Sequence, residues 1–399
     1  MTPSVDESLQ RLDLSLRAEP GDPAMAAAVG THGAAETLEA VRAGCLPCGT
    51  PVPEGWFSGP RDDLTEQAGR LLDAASSQGL RWVVPGQEEW PDGLGDLEHA
   101  PALNHRGGPP LGLWVRGSLG LAETVARSVA VVGCRAATSY GQSVAGQLGA
   151  GLAERNVTSV SGAAFGIDSA AHRGSLALNG PTVAVLACGT DVAYPRAHVS
   201  LLDRIGAEGL VVSELPLGAT PTKWRFLARN RLIAALARGT VVVEAAVRSG
   251  ALNTAHWALS LGRMTMGVPG PVTAATSRGV HELLRGGGAL LVSDAGQVWE
   301  SVAPAGSGLL EPPRLPASAF DLLGPLHQRV IEALSTHGHH PVAAVAARAR
   351  LPQSEVRAAL AGLVAAGVAD EDSRGVRLSR EGVRLVTGRP RRGPPVSSP

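Results

Sequence analysis

Aromatic residues are scarce. Four Phe, two Tyr and seven Trp make up 3% of 399 residues, so a surface that stacks on nucleobases can hold only a few rings. Lysine is nearly absent: Lys223 is the only one, and arginine supplies the rest of the 35 basic side chains. The formal net charge of -1 excludes a globally basic coat, so an anionic partner has to meet a local patch. Cysteine is limited to Cys45, Cys48, Cys134 and Cys188, too few and too scattered for a disulfide framework. Cys45 and Cys48 form a C-x-x-C, but no second pair or neighbouring histidines complete a zinc set. A coincidence in a loop is preferred, and neither a metal nor a cofactor is expected. There is no basic-then-apolar leader and no apolar run long enough to span a bilayer, which predicts a cytoplasmic protein without membrane contact. The G-x-G-x-x-G dinucleotide pattern is missing too.

What the chain does have is apolar content, 44%, over a length that fits two or three domains. Its most informative stretch runs from Val129 to Ile167, VAVVGCRAATSYGQSVAGQLGAGLAERNVTSVSGAAFGI. An apolar run, Val129–Val132, leads into Gly133-Cys134-Arg135 and then into a helix-prone segment from Tyr140 to Arg155. A second apolar run ends at Ser161-Gly162, and Gly166-Ile167-Asp168 opens another helix. Strand, glycine turn and helix, twice over, is the βαβ grammar of a parallel sheet. Two such turns at neighbouring strand ends make a crevice of backbone N–H groups and helix N-termini that suits a phosphate. A glycine turn on its own often does no more than close a strand. Arg135, a planar donor of permanent charge, moves the reading toward anion binding.

Further apolar runs predict strands near 183–186, 210–212, 240–243, 264–268 and 289–292, with helices between them. Runs of this continuous kind signal burial on both faces. The expected fold is α/β, an extended Rossmann-like doubly wound, mostly parallel sheet over residues 81–302. A small helical cap (1–80) precedes it. A Pro/Gly/Ser-rich linker (303–318) follows, then helix, turn, helix and hairpin in winged-helix order (319–387), with Ser354 as a helix N-cap, and a disordered tail (388–399).

The sharpest local signal is Lys223-Trp224-Arg225-Phe226-Leu227-Ala228-Arg229-Asn230-Arg231, four cations in nine residues with two rings between them. On a helix, Arg225, Arg229 and Leu232 share a face, with Asn230 and Arg231 turned from it. Cations at a helix start are poorly placed unless an anion compensates them. Phosphate neutralisation beside a stacking ring is how a single strand is held. Arg248-Ser249-Gly250 opens another helix at a further strand end. Asp168, His172 and Glu244 could be drawn as an acid–base set, but no nucleophile or metal constellation accompanies them. Helix capping by Asp168 and an arginine partner for Glu244 are preferred.

Taken in order, these segments resemble the bacterial DNA-processing protein A (DprA, or Smf) family. The matching pieces are Val131–Arg135 with Tyr140-Gly141, Ser161–Asp168 with Ala171-His172, Gly189 with Asp191 and Tyr194-Pro195, and Ser213-Glu214 with Pro216 and Gly218. Phe226 with Arg229–Ala234, Val243–Ala245 with Ser249-Gly250 and Thr254-Ala255, and Pro269-Gly270 complete the set, which spans about Leu111 to Glu300. The resemblance implies a homodimer that binds single-stranded DNA without strong sequence preference. It implies handover of that DNA to the RecA recombinase in natural transformation, with displacement of single-strand-binding protein and no catalysis. It assigns Gly133 and Arg135 to the first phosphate turn and Ser161, Gly162 and Gly166 to the second. Lys223, Arg229, Asn230 and Arg231 fall in or beside the basic segment. Cys134 departs from the family, standing where a small hydroxyl residue is common. Arg225, Phe226, Ser249 and Gly250 are expected to join the same interface. The alternative is a Rossmann-like nucleotide phosphoribohydrolase, but the P-G-G-x-G-T-x-x-E signature of those enzymes does not precede Glu244. A transcription regulator acting through the winged helix would have Arg357 as the cation near its reading-helix start, little for a major groove.

Overall fold

The computed structural model describes residues 3–56, 62–304, 320 and 322–387. It divides into two units, Met1–Leu310 and Glu311–Pro399. Most of the expected linker and all of the expected disordered tail lie outside the described residues.

Helices α1 (Val5–Arg17), α2 (Pro23–Arg42) and α3 (Asp62–Ser77) form the N-terminal cap. Ser4 and Asp22 cap the first two, with Pro23 at the first position of α2. Buried Asp13 ties the three together: it accepts from Arg17 Nε (2.6 Å), Arg42 Nη2 (3.0 Å) and Thr65 Oγ1 (2.6 Å). A buried carboxylate surrounded this way is satisfied, and removing one arginine would leave it costly.

The sheet begins with β1 (Leu80–Val83) and β2 (Leu113–Arg116). After α4 (Leu121–Val125) come β3 (Ser128–Val132), α5 (Ser139–Ala153), β4 (Thr158–Ser161), α6 (Ile167–Ala177) and β5 (Thr182–Val185). The chain continues through α7 (Val199–Glu208), β6 (Leu210–Ser213), α8 (Lys223–Leu236), β7 (Gly239–Val242), α9 (Gly250–Ser260), β8 (Met264–Gly267), α10 (Arg278–Arg285), β9 (Leu290–Leu291) and α11 (Ala295–Val302). The nine strands lie in the order β1-β2-β6-β5-β4-β3-β7-β8-β9. Strands β3 to β9 are mutually parallel, while β2 runs antiparallel to β6 and to β1. The result is the expected doubly wound, mostly parallel Rossmann-like sheet. The chain winds outward from β3 through β4, β5 and β6, then returns to place β7 on the other flank of β3. That reversal makes β3/β7 the switch point, where a crevice opens at the carboxyl ends of the strands.

Alternate residues serve the two faces. Ala130, Val132, Val160 and Val242 pack with Leu232, Ile233 and Trp257 of α8 and α9. Val129, Val131 and Val241 pack with Leu148 and Leu152 of α5 and Val298 of α11. Each fully buried valine stabilises by about 1.5–3 kcal/mol, so a polar substitution in β3 would collapse the floor of the crevice. The expectation of two buried faces fails at the edge. The run 289–292 yields only Leu290-Leu291, about half exposed, because β9 has a neighbour on one side alone.

The second unit holds α12 (Pro325–Ala333), α13 (Val342–Ala349), α14 (Gln353–Ala365), β10 (Ala369–Asp372), β11 (Gly375–Leu378) and α15 (Arg380–Thr387). Helix, turn, helix and antiparallel hairpin in this order are compatible with a winged helix. Ser354 is not its N-cap. Helix α14 starts two residues earlier, at Gln353 behind Pro352, whose side chain makes no cap bond. On the hairpin Asp370 and Asp372 are paired with Arg377 (3.1 Å) and Arg374 (2.7 Å).

Candidate functional site

The first turn leaves β3 at Gly133, where a Cβ would collide with Ile167 at the start of α6. Cys134 N donates to Glu244 O at 2.7 Å, which ties the turn to the end of β7. Thr138 caps α5 by accepting from Gly141 N, and it also donates its own hydroxyl (2.6 Å) and N–H (2.9 Å) to the Glu244 carboxylate. Glu244 is 1% exposed and accepts further from Thr276 Oγ1 and Cys134 Sγ. Its partners are hydroxyls, an amide and a thiol, not the arginine expected. Burial and the Glu244 charge push the Cys134 thiol up to about 11, so it stays protonated.

The second turn runs from Gly162 to Gly166. Gly166 adopts φ +79°, and a Cβ there would strike the Cys134 and Arg135 carbonyls, so the two turns touch only because this residue has no side chain. Asp168 does not cap its helix as expected; the N-cap is Gly166, and the Asp168 carboxylate reaches back into the loop, accepting from Gly162 N (3.2 Å) and Ala164 N (3.4 Å). The N–H groups of Cys134, Gly162 and Ala164, which the sequence offered to a phosphate, are therefore already engaged. Ser161 is withdrawn as well. It is fully buried and donates to Val131 O at 2.6 Å, binding β4 to β3.

The crevice between the turns has a volume of about 310 Å³. Gly133, Arg135, Phe226, Arg229, Asn230, Ser249 and Gly250 all line it, with Arg248 and Asp168 in addition. Arg229 is 7% exposed and lies against Gly162, where a Cβ would occupy the place of its Nη1. Nη1 donates to Val185 O at 2.8 Å, while Nε is buried without a hydrogen-bond partner. Burial pulls Arg229 below the usual arginine range; Asp168 opposes that pull and the nearby Arg135 adds to it. Two guanidinium groups, Arg135 and Arg229, thus line one hollow together with the Asp168 carboxylate. Asn230, which helix spacing turned away, reaches this wall because its amide donates to Gly250 O (3.3 Å) and Asn253 Oδ1 (3.1 Å) across to α9. Ser249 caps α9, accepting from Ala251 N at 3.2 Å.

The remaining cations of the basic segment part company. Helix α8 is buried on all sides from Ala228 to Leu236, so its arginines point wherever a partner waits. Arg231 is fully buried, chelates the Glu214 carboxylate (2.7 and 2.8 Å) and donates from Nε to Gly108 O, so it does not face the crevice. Arg225 is held by Glu19 of the cap (2.7 and 2.9 Å) and by Thr220 O. Lys223 is exposed, with Nζ 5.8 Å from the centre of the Trp224 ring.

Beside the crevice lies a smaller hollow of about 40 Å³, walled by Phe165, Leu186, Cys188 and Tyr194 and sharing Arg135, Ala164 and Phe226 with it. Arg135 sits 4.6 Å over the Phe226 ring, and Tyr194 and Phe226 are 5.7 Å apart. Phe165 and Tyr194 were missed as site residues by local spacing, yet scarcity pointed to them. The chain has six Phe and Tyr residues, and three of them line this one hollow. His172, by contrast, is sealed off. It bonds Thr182 Oγ1 at 2.7 Å, and burial pulls its pKa down to about 3, so it stays neutral and out of reach of a ligand.

The model of the DNA recombination-mediator protein A family matches residues 81–303. A Mycobacterium tuberculosis relative described as a DNA processing protein DprA is 43% identical over 364 residues, 90% of this chain and 90% of its own. Protein Smf of Escherichia coli is 39% identical over 268 residues, 65% of this chain and 69% of its own. The X-ray structure of DNA processing protein A from Streptococcus pneumoniae superposes with a TM-score of 0.58 at 28% identity, covering 76% of this chain and 100% of that one. The match thus takes in both glycine turns, the basic helix and 90% of the length of a relative, and the chain belongs to the DNA recombination-mediator protein A family.

Proposed function

We propose that this protein binds single-stranded DNA without strong sequence preference, protects it, and loads a RecA recombinase onto it in homologous recombination and natural transformation. It displaces single-strand-binding protein in doing so and catalyses no bond change itself. The observation that carries the reading is the pairing of a guanidinium-lined crevice with a ring-lined hollow, joined through Arg135. In this reading a phosphate sits in the first and a nucleobase stacks on the rings that rim the second. A base can enter the hollow only when it is unpaired and unstacked, which selects single strands. Every base has a π-face, which keeps the selection blind to sequence. The non-catalytic reading is supported by the carboxylates. Both oxygens of the buried Glu244 carboxylate are bonded, Oε1 by the Thr138 and Thr276 hydroxyls and Oε2 by Thr138 N and Cys134 Sγ, so it has no free oxygen to attack a glycosidic carbon, while Asp168 takes two loop amides on Oδ2.

Fluorescence anisotropy with a labelled single strand and its duplex tests this. The single strand should bind roughly tenfold or more tighter than the duplex, the worth of one stacked base. Its affinity should fall with log salt at a slope of about -0.7 per neutralised phosphate. Equal binding of both forms, or a flat salt response, would refute the reading. On a strand pre-coated with single-strand-binding protein, the same preparation should shorten the lag of RecA filament growth.

The homodimer belongs to this reading. Leu290 and Leu291 of β9 are half exposed on an unpaired sheet edge, with exposed Leu259 and Met264 on the adjoining α9 and β8. An open apolar edge is a template for its own copy, and two such edges meet across a twofold axis. Leu291→Arg should shift sedimentation from dimer to monomer without lowering the melting temperature of the protomer. A dimer that survives the substitution places the contact elsewhere.

A further inference from the structure

One more exposed ring lies beside the end of β8. Tyr140 is the second residue of α5 and is 41% exposed. Its hydroxyl donates to Pro269 O at 2.6 Å, just past the end of β8. Helix α5 starts from the end of β3, and β7 lies between β3 and β8, so this bond draws the ring across the end of β7. Thr138 at the start of the same helix is fixed to Glu244, also at the end of β7. The ring is thus anchored at its hydroxyl and through its helix, while much of its surface stays open to solvent. Arg248, exposed after β7, lines the crevice on this flank. Arg278, exposed at the start of α10, is held close by the bond from Gly279 N to Ala245 O at 2.9 Å. Neither arginine forms an ion pair among the described residues, in contrast to Arg225 and Arg231. The Phe226 hollow lies on the opposite flank, over the ends of β4 and β5.

We propose that Tyr140 is a second base platform on the same strand. A phosphate occupies the crevice, one base turns into the Phe226 hollow, and the base on the other side of that phosphate stacks on Tyr140, with Arg248 and Arg278 meeting the phosphate beyond. The inference rests on the single-strand reading and deepens it: the unit gripped is two bases around one phosphate, laid across the sheet from β5 to β8. The hydroxyl bond to Pro269 could pin the loop and do nothing else, so the ring and the hydroxyl have to be separated.

The experiment uses the full chain and two oligothymidylate strands, one intact and one with abasic sites throughout. Tyr140→Leu should weaken the intact strand by about 5- to 150-fold, the loss of one stacked base, and leave the abasic strand unchanged. Tyr140→Phe, which keeps the ring and drops the hydroxyl, should bind the intact strand like wild type. In wild type, a strand carrying 5-bromodeoxyuridine should photocrosslink to the Tyr140 peptide, a readout that needs no variant. Equal losses on both strands, full retention by Tyr140→Leu, or no adduct on that peptide overturns the platform while wild-type binding keeps the single-strand reading alive. Wild type that ignores both strands removes the reading and the platform together.

Discussion

Arg229→Met is expected to abolish single-strand binding and to destabilise the fold by about 3–5 kcal/mol at neutral pH, the usual consequence of stripping one partner from a buried charge pair. Methionine fills much the same volume, so the loss is electrostatic and not a cavity. Arg229 is the strongest influence holding Asp168 down against burial, which raises that carboxyl above its usual range. A carboxyl raised in the folded state keeps its proton to higher pH there than in the unfolded chain, where the pKa is about 3.9. Stability therefore falls as pH rises from the unfolded value through the folded one, and the full penalty applies above it. Removing Arg229 moves the folded value further up and widens that window. Urea midpoints of the variant should recover as the pH is lowered from 7 toward the unfolded carboxyl value, while those of wild type change less over the same interval. Adding Asp168→Asn should restore most of the stability without restoring DNA binding. A single variant as stable as wild type, with no pH dependence, would show that the two groups are not coupled.

The contrast between Arg229 and its neighbours marks what the sequence could reveal. Strands β3 to β7 were legible because continuous apolar runs have few other uses in a chain of this length. The two glycine turns were legible because a sheet that reverses direction needs them at its switch point. The fate of each cation was not. Arg225, Arg229 and Arg231 look alike in one short segment; helix periodicity turns Arg231 away correctly but groups Arg225 with Arg229 and turns Asn230 from the crevice it lines, because α8 has no solvent face from Ala228 to Leu236. What decides is the partner. Glu19 is 206 residues away from Arg225 in the chain, and Gly108 is 123 away from Arg231. Val185 O and Asp168 converge on Arg229 only after the sheet has formed. The amides of the turns were misread for the same reason, since Asp168 and the Glu244 carbonyl take them once the strands are aligned. Edge strand β9 and the start of α14 are errors of another kind, where two leucines and one serine carry too little pattern to fix a boundary.

Arg135→Glu should cost less stability than any change at Arg229 and still remove most of the affinity for a single strand. Arg135 is exposed, has no carboxylate partner among the described residues, and rests on the Phe226 ring. Reversing it changes the charge facing the phosphate by two. At a slope of about 0.7 per charge, that is a loss of about 10²-fold near 0.05 M salt, shrinking to about tenfold near 0.2 M, with the salt slope itself lowered by about 1.4. A second effect adds to this. The guanidinium closes one wall of the ring-lined hollow, and a carboxylate over the negative face of Phe226 is repelled from that position, so the base loses its cover along with the phosphate its donor. Arg135→Gln separates the two contributions, since it removes one charge and introduces no repulsion. It should fall midway on a logarithmic scale and lower the slope by about 0.7. The measurement is a salt series of anisotropy titrations on the three proteins, with melting temperatures taken alongside. Arg135→Glu binding as tightly as wild type near 0.05 M would move the phosphate out of the β3/β7 crevice. A loss that does not shrink with salt would mean that the substitution acts through the shape of the first turn and not through its charge.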